Sequence, residues 1–289
     1  MPRLPFAQKA VRRFMPGETL EKAVEAARGL SGKGFGVVFT ILGEDVATEA
    51  DAHAVVSGYL ELIDALRDTE IDGQLSVKPT QLGLALGSRT AEDCLGVLGA
   101  ATEKAGIPIW VDMEGSGSVD ATLRLYRGLR ARHDQAGLCL QAYLRRTPSD
   151  LEALLPLEPR IRLVKGAYAE PAEVAFTRKT EVDEAYRGLT STLLAAAGRG
   201  RASCILGTHD SRLIEAAWIG AGALDVPHGG FEVHMLYGIR VAEQERLAAK
   251  GVPVKILVSY GSAWFPWYMR RLAERPANLW FVAGSLIPG

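Results

Sequence analysis

Eight short apolar runs, at 36–42, 75–78, 107–112, 137–143, 161–165, 202–207, 231–236 and 252–258, punctuate this chain. Between them lie segments with apolar residues at helical spacing: 48–66, 90–105, 119–132, 149–155, 182–197, 211–221 and 239–250. An eighth helical segment follows the last run at 266–275, and an extra one precedes the first at 18–30. Strands that alternate with helices pair in parallel through helical crossovers. The run 137–143 is apolar on both parities, as a strand covered on both faces requires. Eight such units in 289 residues point to a closed barrel more than to an open doubly wound sheet. The expected fold class is α/β, a (βα)8 TIM-like barrel with an extra N-terminal helix. No Pro/Ser-rich linker splits the pattern, so residues 1–289 are read as one barrel domain.

A barrel of this kind carries its chemistry at the C-terminal ends of its strands. Polar residues fall there at six of the eight positions: Lys78, Asp112 with Glu114, Gln141, Lys165, His209 with Asp210, and an arginine pair after the last strand. In that pair's helix Pro266 suits a first helical position, and Trp267, Arg270, Arg271 and Glu274 share one side. Two guanidinium forks there would grip a carboxylate bidentately; a solvated basic patch is the alternative. Asp112 emerges from a buried run and needs a partner. Lys78 is read as a carboxylate partner, a Schiff-base amine or a snorkelling surface residue. Arg162 and Lys165 frame a segment in which Gly166 permits close backbone approach. Thr208-His209-Asp210 ends a strand just before a helix start, a place that favours anions, although a histidine there is more often a plain hydrogen-bonding residue.

Composition narrows the classes. With 48% hydrophobic residues the chain can bury a large core, and a net charge of −1 from mixed charges offers no nucleic-acid surface and no polybasic membrane anchor. Cys94, Cys139 and Cys204 have no CxxC spacing and read as buried free thiols, which fits a reducing cytosol. There is no dinucleotide-binding glycine fingerprint, no Walker loop and no His/Cys cluster at metal-ligand spacing. With no signal peptide and no apolar run near 20 residues, the expectation is a cytoplasmic protein without a transmembrane segment; peripheral contact at the inner face of the membrane stays open.

Taken in order, several motifs make the chain resemble the proline dehydrogenase family in its short monofunctional bacterial form. They include Phe14-Met-Pro-Gly-Glu18, Leu42-Gly-Glu44, Leu75-Ser-Val-Lys78, Asp112-Met-Glu114 and Gln141-Ala-Tyr143. The most specific are Arg162-Leu-Val-Lys-Gly-Ala-Tyr168, Gly207-Thr-His-Asp210, Leu236-Tyr-Gly238 and Arg270-Arg-Leu-Ala-Glu-Arg275. The resemblance implies non-covalent FAD across the top of the barrel and oxidation of L-proline to 1-pyrroline-5-carboxylate, the first step of proline catabolism. It implies that Arg270, Arg271 and Lys78 hold the substrate carboxylate, with Glu274 pairing one arginine, and that Asp112 and Arg162 lie nearest the chemistry. It places Met113, Gln141, Val164, Lys165, Gly166 and Ala167 against the isoalloxazine and ribityl region. Thr208 and His209 would support the phosphates, and Thr177 and Lys179 would lie by the adenosine. A quinone electron acceptor and a separate 1-pyrroline-5-carboxylate dehydrogenase are the implied partners.

Two positions depart from the family pattern. Leu257 and Trp267 stand where tyrosines usually shape the pocket around the substrate ring. One reading is compensated change in a proline enzyme; another is a substituted proline or a related cyclic or N-substituted amino acid as substrate. Two other classes are a Schiff-base lyase or aldolase using Lys165 or Lys78, and a non-catalytic flavin-binding barrel.

Overall fold

The computed structural model describes residues 14–224, 226–227 and 229–264. Eight parallel strands follow one another in chain order and close into a barrel. They are β1 (Gly36–Ile41), β2 (Gly73–Val77), β3 (Ile109–Val111), β4 (Ala136–Gln141), β5 (Arg160–Val164), β6 (Ser203–Gly207), β7 (Phe231–Leu236) and β8 (Val254–Tyr260). Closure is made by β8 on β1, in register from Gly36↔Lys255 to Ile41↔Tyr260. Helix α1 (Leu20–Ser31) precedes the first strand as the expected extra helix. The crossovers carry α2 (Glu49–Arg67), α3 (Ser88–Ala105), α4 (Val119–Arg130), α5 (Thr147–Leu154), α6 (Lys179–Ala197), α7 (Ser211–Ala223) and α8 (Val241–Ala249). The architecture is the TIM-like barrel that the alternating pattern predicts. The predicted helix 266–275 lies outside the described residues. Among the described residues, no helix is long and apolar enough to cross a membrane.

Element edges differ from the sequence pattern for local reasons. The third strand begins only after Pro108, which has no N–H to give to a ladder, and it ends at Val111, leaving Asp112 just past it. The last strand starts after Pro253 and runs on to Tyr260 because β1 pairs it that far. Helix α8 waits for Gly238 (φ +69°) and Arg240 (φ +54°) to turn the chain, so it starts at Val241 rather than 239. Helix α6 begins three residues earlier than expected, at Lys179.

Strand alternation sends two different sets of side chains to the two faces of the barrel. Outward, Val37, Phe39, Leu75, Ile109, Leu163 and Ile256 join the large apolar core beneath the helices. Inward, Val38, Trp110 and Ile205 form a small apolar cluster with Leu257 packed on it. The other interior contacts are polar. Trp110 donates to Gln74 Oε1 (2.7 Å), and its ring meets the His234 ring edge-on at 5.5 Å. A Cβ at Gly137 would fall inside the Trp110 ring, so that glycine lets the indole lie across β4. At the base, Lys255 pairs with Asp72 (2.5 Å) and His234 Nε2 lies 3.3 Å from Glu232.

Burial holds His234 neutral, with its pKa lowered from 6.5 to about 4 although Glu232 opposes the shift. Between those values the unfolded chain binds a proton that the folded chain refuses, so stability falls as pH drops through that window. The full effect is on the order of 3 kcal/mol. Replacing His234 with Gln keeps a donor for Glu232 and removes the titration. Urea unfolding at pH 7 and pH 5 should show the variant losing less stability than the parent, by about 1 kcal/mol or more.

Candidate active site

The site is built around Asp112, which β3 delivers to the barrel mouth with its N–H held by the Val77 carbonyl (2.9 Å). Its Oδ1 accepts from Ser76 Oγ (2.9 Å) and from Arg162 Nη2 in a short ion pair. The same Arg162 nitrogen donates to Ser76 Oγ (2.7 Å), and the guanidinium carbon stands 5.1 Å from the Trp110 ring centroid. Asp112 Oδ2 faces Lys78 Nζ at 3.5 Å, and Lys78 also lies 3.7 Å from Glu44 Oε1. Strands β2, β3 and β5 thus bring Lys78, Ser76, Asp112 and Arg162 together; Lys78 and Asp112 stand just past their strands, whereas Arg162 reaches them from the middle of β5.

Neighbouring side chains fix Lys78 in place. Glu114 accepts from the N–H (2.9 Å) and hydroxyl (2.7 Å) of Thr80, two residues on. Gln81 accepts from the Lys78 N–H (3.3 Å) and donates to the Ile41 carbonyl (2.6 Å), tying the β2 and β1 loops. Burial disfavours the charge on each member of the central group, but their mutual attraction outweighs it. Lys78 is held above its usual pKa by Asp112, Glu114 and Glu44, and Arg162 is raised by Asp112. Against its own burial, Asp112 is held below the usual carboxylate range by Arg162, Lys78 and the Ser76 hydroxyl. Burial of Glu114 pushes its pKa up. A Schiff-base lysine needs a depressed pKa, which Lys78 does not have; the Lys165 ammonium is tied into two ion pairs.

Those pairs belong to a second cluster, across the mouth at the ends of β5 and β6. Lys165 Nζ meets Asp183 Oδ1 (2.6 Å) and Asp210 Oδ2 (3.0 Å). Lys179, at the first position of α6, makes a short pair with Asp183 and lies 3.8 Å from Asp210. Arg212 reaches Asp210 at 3.1 Å, and Asp210 caps α7 by accepting from the Arg212 N–H. Three cations therefore share two carboxylates. The Arg212 hydrogen bond, with Lys165, holds Asp210 far below the usual range; Asp183 is lowered too, by Lys165 and Lys179 against its burial.

The remaining candidates fall around these clusters. Gln141 ends β4, buried, and its Nε2 donates to the Met113 carbonyl (3.2 Å). Its Oε1 is also buried and has no hydrogen-bond partner among the described residues. Val164 ends β5 half-buried, and Ala167 is exposed in the loop beyond it. Gly166 adopts φ +114°, and a Cβ there would run into the Tyr143 ring, so the close approach this glycine permits is made by Tyr143. Thr177 is exposed ahead of α6. Buried Thr208 accepts from the Asp210 N–H (3.2 Å). His209 Nε2 accepts from the Leu236 N–H (3.4 Å), the hydrogen-bonding role that its position suggests most often. Leu257 lies half-buried within β8. Trp267, Arg270, Arg271 and Glu274 lie outside the described residues. All three cysteines are buried free thiols.

Four residues escaped the sequence reading, Arg212 in the first turn of α7 among them. Ser76 stands two before Lys78, hence on the same strand face, and strand parity alone could have found it. Glu44 was visible only as part of a motif, because its pairing with Lys78 depends on how the β1 loop folds back. Asp183 sits within a helix as one acidic residue among several, and nothing local marks it as the partner of Lys165.

Comparison with known proteins identifies the family and the fold. The family profile described as proline dehydrogenase matches residues 23–284. Proline dehydrogenase 1 of Bacillus subtilis (strain 168) is 34% identical over 276 residues, covering 96% of this chain and 90% of that protein. The proline dehydrogenase of Deinococcus radiodurans is 35% identical over 285 residues, covering 96% and 90%. Among solved structures, proline utilization A from Bdellovibrio bacteriovorus superposes with a TM-score of 0.84 at 22% identity. That match covers 92% of this chain and 32% of the other, and it shows the shared barrel. With the family profile matched over most of its length, the chain belongs to the proline dehydrogenase family.

Proposed function

We propose that this protein is an FAD-dependent proline dehydrogenase, a single-domain barrel that oxidises L-proline to 1-pyrroline-5-carboxylate in the first step of proline catabolism. The observation that carries the reading is the Lys78–Asp112–Arg162 group, with Lys78 and Asp112 at strand C-termini, Arg162 reaching them from within the barrel, and Lys78 held cationic at the mouth. Two features of this chain suit a flavin dinucleotide. The three cations at Lys165, Lys179 and Arg212 exceed their two carboxylates and suit a pyrophosphate. The buried Gln141 Oε1 suits a flavin ring N–H. Gln141, Met113, Val164, Lys165, Gly166 and Ala167 would hold the ring and ribityl chain, Thr208 and His209 the phosphates, and Thr177 and Lys179 the adenosine end. When bound, FAD would supply the two-electron acceptor, at its N5, for the hydride lost from the ring carbon that adjoins the substrate nitrogen and bears no carboxylate.

The protein's own part is placement and charge. Lys78, Arg270 and Arg271 would bind the substrate carboxylate, with Glu274 pairing one arginine. Holding the reactant in one orientation supplies up to about 7–11 kcal/mol of the barrier. Asp112 is kept ionised by Arg162, so it balances Lys78 and is a poor acceptor for the amine proton, which leaves to solvent. The imine would then pass to a separate 1-pyrroline-5-carboxylate dehydrogenase, and the two electrons to a quinone, which would bring a cytoplasmic protein into peripheral contact with the inner face of its membrane.

Leu257 bears on the substrate. It packs on the buried apolar cluster of Val38, Trp110 and Ile205, whose indole N–H is already given to Gln74; among the described residues this cluster offers no partner for a ring hydroxyl, which favours unsubstituted proline over the substituted alternative.

The visible spectrum of the purified protein, followed anaerobically on adding proline, tests the reading. A bound flavin bleached by proline is expected; an oxidised spectrum would defeat the proposed substrate, and absence of flavin the proposed cofactor. Proline should exceed 4-hydroxyproline in kcat/KM by at least about tenfold, since burying an unpaired hydroxyl costs on the order of 1–3 kcal/mol. Replacing Arg270 with Lys should raise KM about tenfold or more through loss of the bidentate fork; an unchanged kcat/KM would remove Arg270 from the site.

A further inference from the structure

We infer that Ser76 is a positioning residue for the oxidation: its hydroxyl fixes which oxygen of Asp112 faces Lys78, and so where the Lys78 ammonium stands. This rests on the reading of Lys78 as a substrate-carboxylate ligand.

The side chain is fully buried on the inner face of β2. Its oxygen closes a triangle, 2.7 Å from Arg162 Nη2 and 2.9 Å from Asp112 Oδ1. A hydroxyl has one proton to give, a guanidinium only donates and an ionised carboxylate only accepts. The direction of the triangle is therefore forced: Arg162 donates to Ser76, and Ser76 donates to Asp112. Both the hydroxyl and the guanidinium terminate on Oδ1, which leaves Oδ2 as the oxygen turned to Lys78 at 3.5 Å. The fold holds Ser76 independently of this group. Its carbonyl accepts from Tyr59 Oη (2.8 Å), and that phenol oxygen accepts from the Ile41 N–H (3.1 Å). Ser76 is thus set by helix α2 and strand β1, and in turn it sets the carboxylate.

Without the hydroxyl, Arg162 Nη2 loses an acceptor and Asp112 Oδ1 a donor, at a buried place. The carboxylate then keeps only the Arg162 pair on Oδ1 and can turn further about its terminal bond, so Lys78 loses its fixed counter-charge on one side while Glu44 keeps pulling from the other. Misplacing a substrate ligand lowers kcat more than it weakens binding. The charged groups facing Asp112 are Arg162 from β5 and Lys78 from the end of β2; the titratable Tyr59 phenol of α2 and Cys139 thiol of β4 also face it, and Glu44 and Glu114 bear on it through Lys78. Removing one donor to an ionised carboxylate makes it easier to protonate, so the acid limb of the rate profile should move to higher pH.

The flavin-bound full-length protein with Ser76→Ala and Ser76→Thr decides this. In Ser76→Ala, kcat for proline should fall about tenfold or more, the loss of one buried hydrogen bond in the oriented state. KM should change less than kcat, and the acid limb should rise. Ser76→Thr keeps the hydroxyl and should restore both. Wild-type kcat with an unmoved acid limb in Ser76→Ala would overturn the inference, as would a threonine variant impaired in kcat and pH profile to the same degree as alanine. Should the alanine protein not fold, Ser76→Cys, nearly isosteric but a weak donor, carries the test with the same expected losses, and wild-type behaviour in it overturns the claim. A wild-type flavin that proline fails to bleach defeats only the proline reading. The crystal structure of Ser76→Ala then tests the positioning by itself, and Asp112 and Lys78 standing in their wild-type places would overturn it.

Discussion

The guanidinium of Arg162 lies within the barrel, 3% exposed, where neither water nor deprotonation can relieve its charge. Asp112 neutralises it from two strands away, since β4 lies between β3 and β5. The pair therefore spans the interior instead of running along a ladder. Room for it comes from the inward side of β4, where Gly137 yields to the Trp110 indole and Cys139 stands beside Arg162 in register. A barrel interior is usually filled by branched apolar side chains. Here a cation, its counter-ion and an indole occupy that place. Taking either charge away singly would strand the other, an event that typically costs about 3–5 kcal/mol. The same attraction keeps Asp112 ionised and Lys78 charged, so the stability of the interior and the electrostatics of the mouth have one origin.

The mouth has two charged clusters of different construction. Around Lys78 two cations, Lys78 and Arg162, face two carboxylates, Asp112 and Glu44. Around Lys165 the cations outnumber the carboxylates. On the proposed function the balanced cluster would take the zwitterionic substrate and the cation-rich cluster a ligand carrying more than one negative charge, each without competition from the other.

The fold could be read from the chain because each strand is a short apolar run flanked by helical spacing, and eight such units admit few other arrangements. Asp112, Lys78, Gln141 and Lys165 could be found because a polar residue at the end of an apolar strand stands out. The partnerships could not. That Arg162 reaches Asp112 across β4, that Lys165 rests between Asp183 and Asp210, and that Glu44 turns to Lys78 all depend on side-chain reach and loop closure. Ser76 is the plainest case: a small polar residue in an apolar strand looks like a tolerated substitution until the two charges that it joins are in place. Edges misread at β3, β8 and α8 trace to single residues, Pro108, Pro253 and Arg240, whose local backbone demands override the apolar pattern.

Tyr59 has a mechanical meaning for the rim. Strands β1 and β2 pair only from Val37↔Gly73 to Phe39↔Leu75, whereas β1 and β8 stay paired as far as Ile41↔Tyr260. Beyond Phe39 the first two strands part, and the Tyr59 phenol spans the gap, taking the Ile41 N–H on one side and giving to the Ser76 carbonyl on the other. A rung normally made of backbone is here made by a helix side chain. The barrel consequently has a seam at its lip, fastened by side chains, the Tyr59 phenol and the Gln81 amide, and the loops carrying Glu44 and Lys78 are hung on either side of it.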